Sequence, residues 1–463
     1  MSGAHRTGRP SHRAPVRPRR RWLGLLVVLA LVLGGTAAAG YRAYVYEAPP
    51  DVAAAGPGYW VSTHGEDDAG GTPDKPWKSI AHAVQVAPAG SKIFVREGTY
   101  APFTVSRPGL TVSSAPGEEA TVEGVAGVRD GVLVAAGDTT IADLTVRGCV
   151  PKPNADVNIT GDHGSGIRVH KTSKVTIRGV TVRDSHGENA AGKPVGCYGI
   201  LVTESQDVRV TGSDVFHNGA GISVSRGGRG VLVDGNQVHD QDRIIQNTDP
   251  DGDDFGGYGL SATFITVKPG PVFRGNTVRR NYGPSTDYGI DGGGVEIYDA
   301  ANTTITGNTF ETNDGVMETG TGNGGGCADN VFSDNRAIGG TGPDGFDNDT
   351  GLVLRCAARL TVSGNTFSDL SKFTFLLATG SDFAGSIEGV KITGNTVTRN
   401  DNAAVYRLQI DGGASPNMVI DKNSYETGDN NFGIPNGSVS EASVTYDQWV
   451  ARTGFDKAST LKR

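Results

Sequence analysis

The sequence predicts a right-handed parallel β-helix, and three observations carry the prediction. Glycine makes up 69 of 463 residues while 37% are hydrophobic. That balance suits short strands joined by tight turns and lacks the fixed period of collagen. Short alternating segments recur, as in Gly166-Ile167-Arg168-Val169-His170, Gly199-Ile200-Leu201-Val202-Thr203 and Gly221-Ile222-Ser223-Val224-Ser225. The last two glycines are 22 residues apart, an interval repeated between Asp214 and Asn236 and between Asn308 and Asn330. Finally, Asn236, Asn276, Asn308, Asn365 and Asn395 each follow a glycine. Asn tolerates the left-handed backbone of a sharp corner, and stacked amides can form a hydrogen-bonded ladder. A β-sandwich would call for hairpin turns every 8–12 residues or so and explains none of this.

The first 40 residues read as targeting rather than folding. Residues 1–21 hold seven arginines and no acid, and an apolar stretch from Trp22 to Ala39 follows, ending in Thr36-Ala37-Ala38-Ala39. A basic start, an apolar core and a small-residue exit describe either a cleaved signal peptide or a membrane anchor. The arginines favour a cytoplasmic N-terminus. Both readings put the body outside the cytoplasm, secreted or anchored by a single pass. Residues 41–57, rich in Ala, Pro and Gly, read as a linker. The β-helix domain with its terminal caps is expected over 58–463.

Within that domain, Pro76–Ala87 has helical spacing, with Ile80, Ala83, Val84 and Ala87 on one face. Such a helix would cover the open hydrophobic end of a solenoid. From about residue 105 the coils repeat, roughly nine or ten of them, spaced by about 4.8 Å. One unit cannot bury its own apolar face, so units must stack. The tail, Tyr446-Asp447-Gln448-Trp449-Val450, reads as a second helix over the last coil. Four cysteines, Cys149, Cys197, Cys327 and Cys356, form an even set that in an exported chain makes two disulfides. Three pairings are formally possible; Cys149–Cys197 with Cys327–Cys356 is preferred because each pair can meet on nearby coils.

Several segments resemble the N-terminal cap of pectate-lyase-like β-helix proteins, polysaccharide lyase family 9 and its relatives among them. They are Tyr59-Trp60-Val61-Ser62, Gly65-Glu66-Asp67-Asp68, Gly70-Gly71-Thr72, Pro76-Trp77-Lys78-Ser79-Ile80 and Gly98-Thr99-Tyr100. With the generic coils that follow, the resemblance covers about residues 58–430. It implies a carbohydrate-active protein whose strand face and flanking loops bind a saccharide chain. β-Helices host lyases, hydrolases, epimerases and adhesins, so the resemblance speaks to fold more than to activity.

Alternation turns the variable positions of Gly-Ile-x-Val-x outward. Aligned coils then form two outward columns. One holds Arg168, Leu201, Ser223, Ser261 and Glu296; the other holds His170, Thr203, Ser225, Thr263 and Tyr298. Arg168, His170 and Tyr298 are the candidate substrate-binding residues. His163 flanks the same coil. Asp291, Glu296 and Glu318 fall within one or two coils of each other, and Arg355 follows on a later one. Glycosidases use two carboxylates roughly 5–9.5 Å apart, a range that one or two coil steps supply. These four are the candidate catalytic residues. Gly292-Gly293-Gly294 beside them would let a ligand approach the backbone.

A lyase needs a base and a cation that neutralises a uronate. The resemblance implies a lysine base, for which Lys268 and Lys372 are candidates, with Arg243 and Arg355 as alternatives. Asp249, Asp251 and Asp253, in an acidic loop within 240–257, are candidate Ca²⁺ ligands; Gly342–Asp349 is a second acidic loop of that kind. No other cofactor is expected, and no Cys/His spacing resembles structural zinc.

Removing the seven leader arginines from 42 basic residues leaves 35 against 50 acidic, so the body carries about −15. Such a body repels nucleic acid. The expected partners are a polysaccharide and, if the leader stays, a membrane; the body is expected to be a monomer. The function read from the sequence is polysaccharide cleavage in a groove along the helix, by β-elimination or by paired carboxylates. The alternative is a non-catalytic glycan-binding or cell-surface protein.

Overall fold

The computed structural model describes residues 58–462 apart from 151–162, 190, 248–253, 323–325, 342–349, 380–384, 400–403, 411–416, 429–431 and 434–443. The leader and linker expected over 1–57 lie outside the described residues. Among the described residues no helix is long and apolar enough to cross a membrane.

Three long parallel sheets of 13, 11 and 13 strands run along a right-handed β-helix. Each complete coil gives one strand to each sheet. In one coil, Tyr198–Thr203 lies in the 11-stranded sheet, while Gln206–Thr211 and Asp214–Phe216 lie in the two 13-stranded ones. The chain then returns as Ala220–Ser225, with Ile200 opposite Ile222 and Thr203 opposite Ser225. Ser165–His170 stacks on Tyr198–Thr203, and Tyr258–Thr263 lies between Ala220–Ser225 and Gly293–Tyr298. The stack is longer than repeat counting gives. Tyr59–Val61 and Lys92–Val95 add strands before residue 105, and Thr460–Leu461 adds one after the last repeat.

The core follows from the alternation. In most three-residue strands of the long sheets the middle side chain points inward and is fully buried, as with Val182, Val215, Val238 and Phe367. Each such side chain contributes about 1.5–3 kcal/mol, but only where a coil lies on either side of it. Later coils enlarge the inward residue, building a run of rings from Phe310 through Phe332, Phe367 and Phe375 to Tyr406.

The expected amide ladder exists, in a different register from the simple interval. Asn236, Asn276, Asn308, Asn335, Asn365, Asn395 and Asn423 are all buried. Each of the first six donates its side-chain Nδ2 to the next Oδ1 over 2.9–3.1 Å. The same Oδ1 also accepts the preceding Asn backbone N–H. Asn330 is not a rung: its Oδ1 accepts Thr303 N–H at a different corner. Likewise Asn236 faces Ser213, not Asp214. The steps between rungs vary because loops of different length are inserted between coils, so a 22-residue match there was coincidental, whereas the Gly199–Gly221 interval is a true coil step.

A short helix, Ile80–Val86, starts where Ser79 accepts the His82 N–H, and Asp67 accepts the backbone N–H groups of Lys78 and Ser79. It is shorter than the periodic stretch because the cap falls at Ser79. Ile80, Ala83 and Val84 join the core, as does Ala87 just beyond. At the other end, the helix Tyr446–Thr453 carries a capping box of Thr445 and Gln448 and stops at Gly454, φ +73°. Its Trp449 is 0% exposed and stacks 4.9 Å from Tyr406. The indole N–H donates to Asp456 Oδ2 at 2.9 Å. Two disulfides, Cys149–Cys197 and Cys327–Cys356, tie neighbouring segments.

Candidate functional site

The outer face of the 11-stranded sheet holds both columns, but it is not open along its whole length. Arg168 is 1% exposed; its Nε donates to Asp130 Oδ1 at 2.8 Å and its Nη2 to the His163 carbonyl. Leu201 packs with Tyr198, Ala220, Ile245 and Phe255 in a small apolar cluster outside the helix core. Ser261 donates to Ser223 at 2.7 Å, and both are buried. The expectation that this column faces solvent therefore holds only beyond Ser261. The cause is the chain between coils: Ile245 and Phe255 lie on it and fold back over the sheet.

Past that cover the face opens at Glu296, which sits opposite Ser261 on one side and Glu318 on the other. Val353 occupies the next position. A small hollow of about 30 Å³ lies here, lined by Tyr258, Gly292, Asp314, Met317, Glu318 and Thr350 among others. Glu318 is held on two sides: Arg355 forms an ion pair with it, and Tyr258 Oη donates to its Oε2 at 3.0 Å. Asp291 arrives from a hairpin, Gly283–Ser285 paired with Gly289–Asp291. The hairpin is pinned by Asp254, whose Oδ2 accepts Ser285 Oγ–H at 2.6 Å and Thr286 N–H at 2.9 Å. The structure thus brings Asp291, Glu296, Glu318 and Arg355 into one neighbourhood.

Gly292 and Gly293 serve packing there. Both have φ near +130°, and a Cβ at Gly292 would meet the Gly257 carbonyl oxygen at 2.7 Å while one at Gly293 would meet that of Gly315 at 2.9 Å. The close approach they permit is between neighbouring coils.

Electrostatics separates the carboxyl groups. Burial pushes the Glu296 carboxyl up to about 7. Burial also pushes Asp291 well above the usual carboxylate range, reinforced by the charges of Glu296, Asp314 and Asp254 and opposed by the Gly292 N–H. Tyr258 is raised well above its ordinary value, first by burial and then by Asp291, Glu296 and Asp314, so it stays a hydroxyl donor. The site therefore holds a carboxyl that is half protonated near neutrality beside one tied to a guanidinium and a phenol.

Tyr298 shares the outward face of Glu296's strand and lies edge-on to Phe264 at 6.0 Å. His170 is far along the stack, four strands before Glu296. Burial lowers its pKa against the pull of Glu204. His163 is buried edge-on to Phe255 at 5.6 Å. Neither Lys268 nor Lys372 lines the pocket. Asp249, Asp251 and Asp253 lie outside the described residues, as does the whole of the second acidic loop, 342–349. Sequence reasoning missed Tyr258 and Asp254 as parts of this site. Tyr258 begins a strand with the same Gly-x-x-x pattern as its neighbours, and that register could have placed it; Asp254 acts through a hairpin that leaves no periodic trace.

A family model described as a right handed beta helix region matches residues 130–337 and 288–434. Two curated proteins match over short stretches. The uncharacterized protein YwoF of Bacillus subtilis (strain 168) is 34% identical over 82 residues, 18% of this chain and 16% of that protein. Pectate lyase PEL9 of Emericella nidulans is 43% identical over 75 residues, 16% of this chain and 18% of that protein. The match thus spans less than a fifth of either relative's length. Among solved structures, the GH136 lacto-N-biosidase from Eubacterium ramulus superposes with a TM-score of 0.51 at 13% identity, covering 80% of this chain and 68% of that one. This last likeness is one of fold.

Proposed function

We propose that this chain, which belongs to the right handed beta helix family, is a carbohydrate-active enzyme that hydrolyses an uncharged glycan on the strand face that carries Glu296 and Glu318. One observation carries the reading. A carboxyl raised to about 7 lies one coil from a carboxylate that an arginine and a tyrosine keep oriented. That is the division of labour glycoside hydrolysis needs: a general acid still protonated near neutrality and a second carboxylate as base or nucleophile. Adjacent strands are about 4.8 Å apart, close to the roughly 5 Å carboxyl separation of retaining enzymes. In the proposed step Glu296 donates its proton to the leaving glycosidic oxygen while Glu318 acts on the anomeric carbon or on its attacking water. Burial keeps Glu296 protonated, and Tyr298 offers a ring face to a sugar.

The substrate's charge follows from the same residues. Asp314 and Glu318 line the hollow, Asp291 and Glu296 stand beside it, and the nearby guanidinium, Arg355, is committed to Glu318. A uronate chain would find no uncommitted cation there to pair with its carboxylates, and bringing its charge close would cost more without a bridging cation. The short likeness to pectate lyase PEL9 supports a second reading, β-elimination on a uronate chain with Arg355 freed to bind the carboxylate.

The two disulfides and the basic-apolar leader support a location outside the cytoplasm. The helix Ile80–Val86, with its apolar face in the core, supports the N-terminal cap role. The test is turnover of a panel of neutral and acidic polysaccharides by the full chain and by Glu296→Gln. New reducing ends from a neutral glycan, lost in the variant, uphold the proposal. Full activity in Glu296→Gln, or retention of a polysaccharide without turnover, overturns it.

A further inference from the structure

A second cluster lies at another corner of the helix, between the 13-stranded sheet that holds Asp214–Phe216 and the start of the next coil. Three successive coils contribute to it. Thr181–Arg183, Asp214–Phe216 and Gln237–His239 stack in register, with Arg183 opposite Phe216 and Phe216 opposite His239. The residue after each strand, Asp184, His217 and Asp240, has φ of +53 to +59° and marks the corner. His186 and Asp242 follow two residues beyond the first and third corners. His217 sits on the coil between them.

The side chains converge. His186 Nε2 is 3.0 Å from Asp242 Oδ1, and His217 Nδ1 is 4.0 Å from Asp242 Oδ2. The two imidazoles lie nearly parallel, 14° apart with centroids at 6.2 Å. One ligand atom from each of the three residues lies within 4.8 Å of the others. Four-coordinate zinc, with bonds of about 2.0–2.1 Å, sets its ligand atoms roughly 3.3 Å apart. Small side-chain rotations close that gap, because all three side chains are partly exposed, at 37–43%. Arg243 lies 3.7 Å from Asp242 Oδ2 but also donates to the Asp242 carbonyl at 2.6 Å, so it has a second acceptor when the carboxylate turns to a cation.

A separate feature of the surface points to the same place. A hollow of about 400 Å³ opens beside the cluster, and His217 and Asp242 belong to its wall along with Gln241, Arg280, Tyr282 and Thr312. An ion held by the three ligands would stand at the rim of this hollow with coordination positions free toward it.

We propose that His186, His217 and Asp242 form a site for one divalent transition-metal ion of the zinc or nickel type, clamping three successive coils at the edge of the second hollow. Two imidazoles with one carboxylate suit such ions and do not suit Ca²⁺ or Mg²⁺, which take oxygen ligands. The site stands apart from the Glu296 pocket and does not depend on the function proposed for it.

The experiment is calorimetric titration of the chelator-stripped full chain with Zn²⁺, Ni²⁺ and Ca²⁺ separately. The same titration is run on His186→Ala, Asp242→Asn and a control, His64→Ala, with circular dichroism to verify folding. The expected result is one strong equivalent of Zn²⁺ or Ni²⁺, unchanged in the control. It should be weakened more than about 100-fold in both site variants, since outer partners alone are worth roughly 10–100-fold. Ca²⁺ should not compete. X-ray absorption of the zinc-loaded chain should show two imidazoles in the coordination shell. No strong equivalent, or one that both folded site variants retain, overturns the proposal.

Discussion

Replacing Glu296 by Gln perturbs the site with almost no change of shape, and its effect on stability has a definite sign. The folded chain raises this carboxyl from 4.5 to about 7 by burial. Below pH 4.5 the group is protonated whether the chain is folded or not, so Glu296 imposes no penalty. Between 4.5 and about 7 the folded state binds the proton more tightly than the unfolded one, and stability falls as pH rises. Above 7 the folded state carries the cost of a half-buried charge, at most roughly 3 kcal/mol at 1.36 kcal/mol per pH step. Glutamine carries no such cost. Denaturant unfolding at pH 4, 6 and 8 should therefore find Glu296→Gln as stable as the parent at pH 4 and more stable at pH 8, by up to roughly 3 kcal/mol. The same substitution should lower turnover by about 10²–10⁴ if Glu296 is the acid. A variant equally stable, or less so, at pH 8 would refute the burial argument and with it the assignment of Glu296 as the proton donor.

Glu318→Gln should abolish reducing-end release while a glycan column still retains the chain, because Arg355 and Tyr258 hold this carboxylate in place without needing its basicity for binding. Trp449→Ala should lower stability by about 3–5 kcal/mol in thermal or denaturant unfolding, since it empties a fully buried site against Tyr406. Asn335→Ala removes the acceptor of both the Asn308 amide and the Asn308 backbone N–H, so it should cost about 1–3 kcal/mol. Asn330→Ala serves as comparison at the other corner, where one backbone N–H, that of Thr303, loses its acceptor.

The coil pattern was legible because burial in a β-helix is a local matter. An inward Val or Ile in Gly-Ile-x-Val-x is enclosed by the equivalent residues one coil away, so the alternation in the sequence is the packing. The glycine–asparagine corners were legible for the same reason, yet Asn335 escaped notice because it follows Asp334 rather than glycine. Asp334 itself takes φ +55°, the conformation glycine supplies elsewhere. The neighbourhood of Glu296, Glu318 and Arg355 followed from strand order. What the sequence hid is everything supplied by chain between coils. The burial of Arg168 depends on Asp130, the cover over Leu201 comes from Ile245 and Phe255, and the hairpin that presents Asp291 is fixed by Asp254. These contacts join residues with no common period. The corner cluster of His186, His217 and Asp242 was equally invisible, since His186 and Asp242 are 56 residues apart.

The central claim is that crowded carboxyl groups on one open strand face cleave an uncharged glycan by proton donation and water attack. Its most direct test is the product formed when the full chain is incubated with neutral and uronate polysaccharides, read for reducing ends and for near-ultraviolet absorbance together. The account predicts reducing ends from a neutral glycan with no gain in absorbance. An absorbing, unsaturated product released from a uronate chain would contradict it.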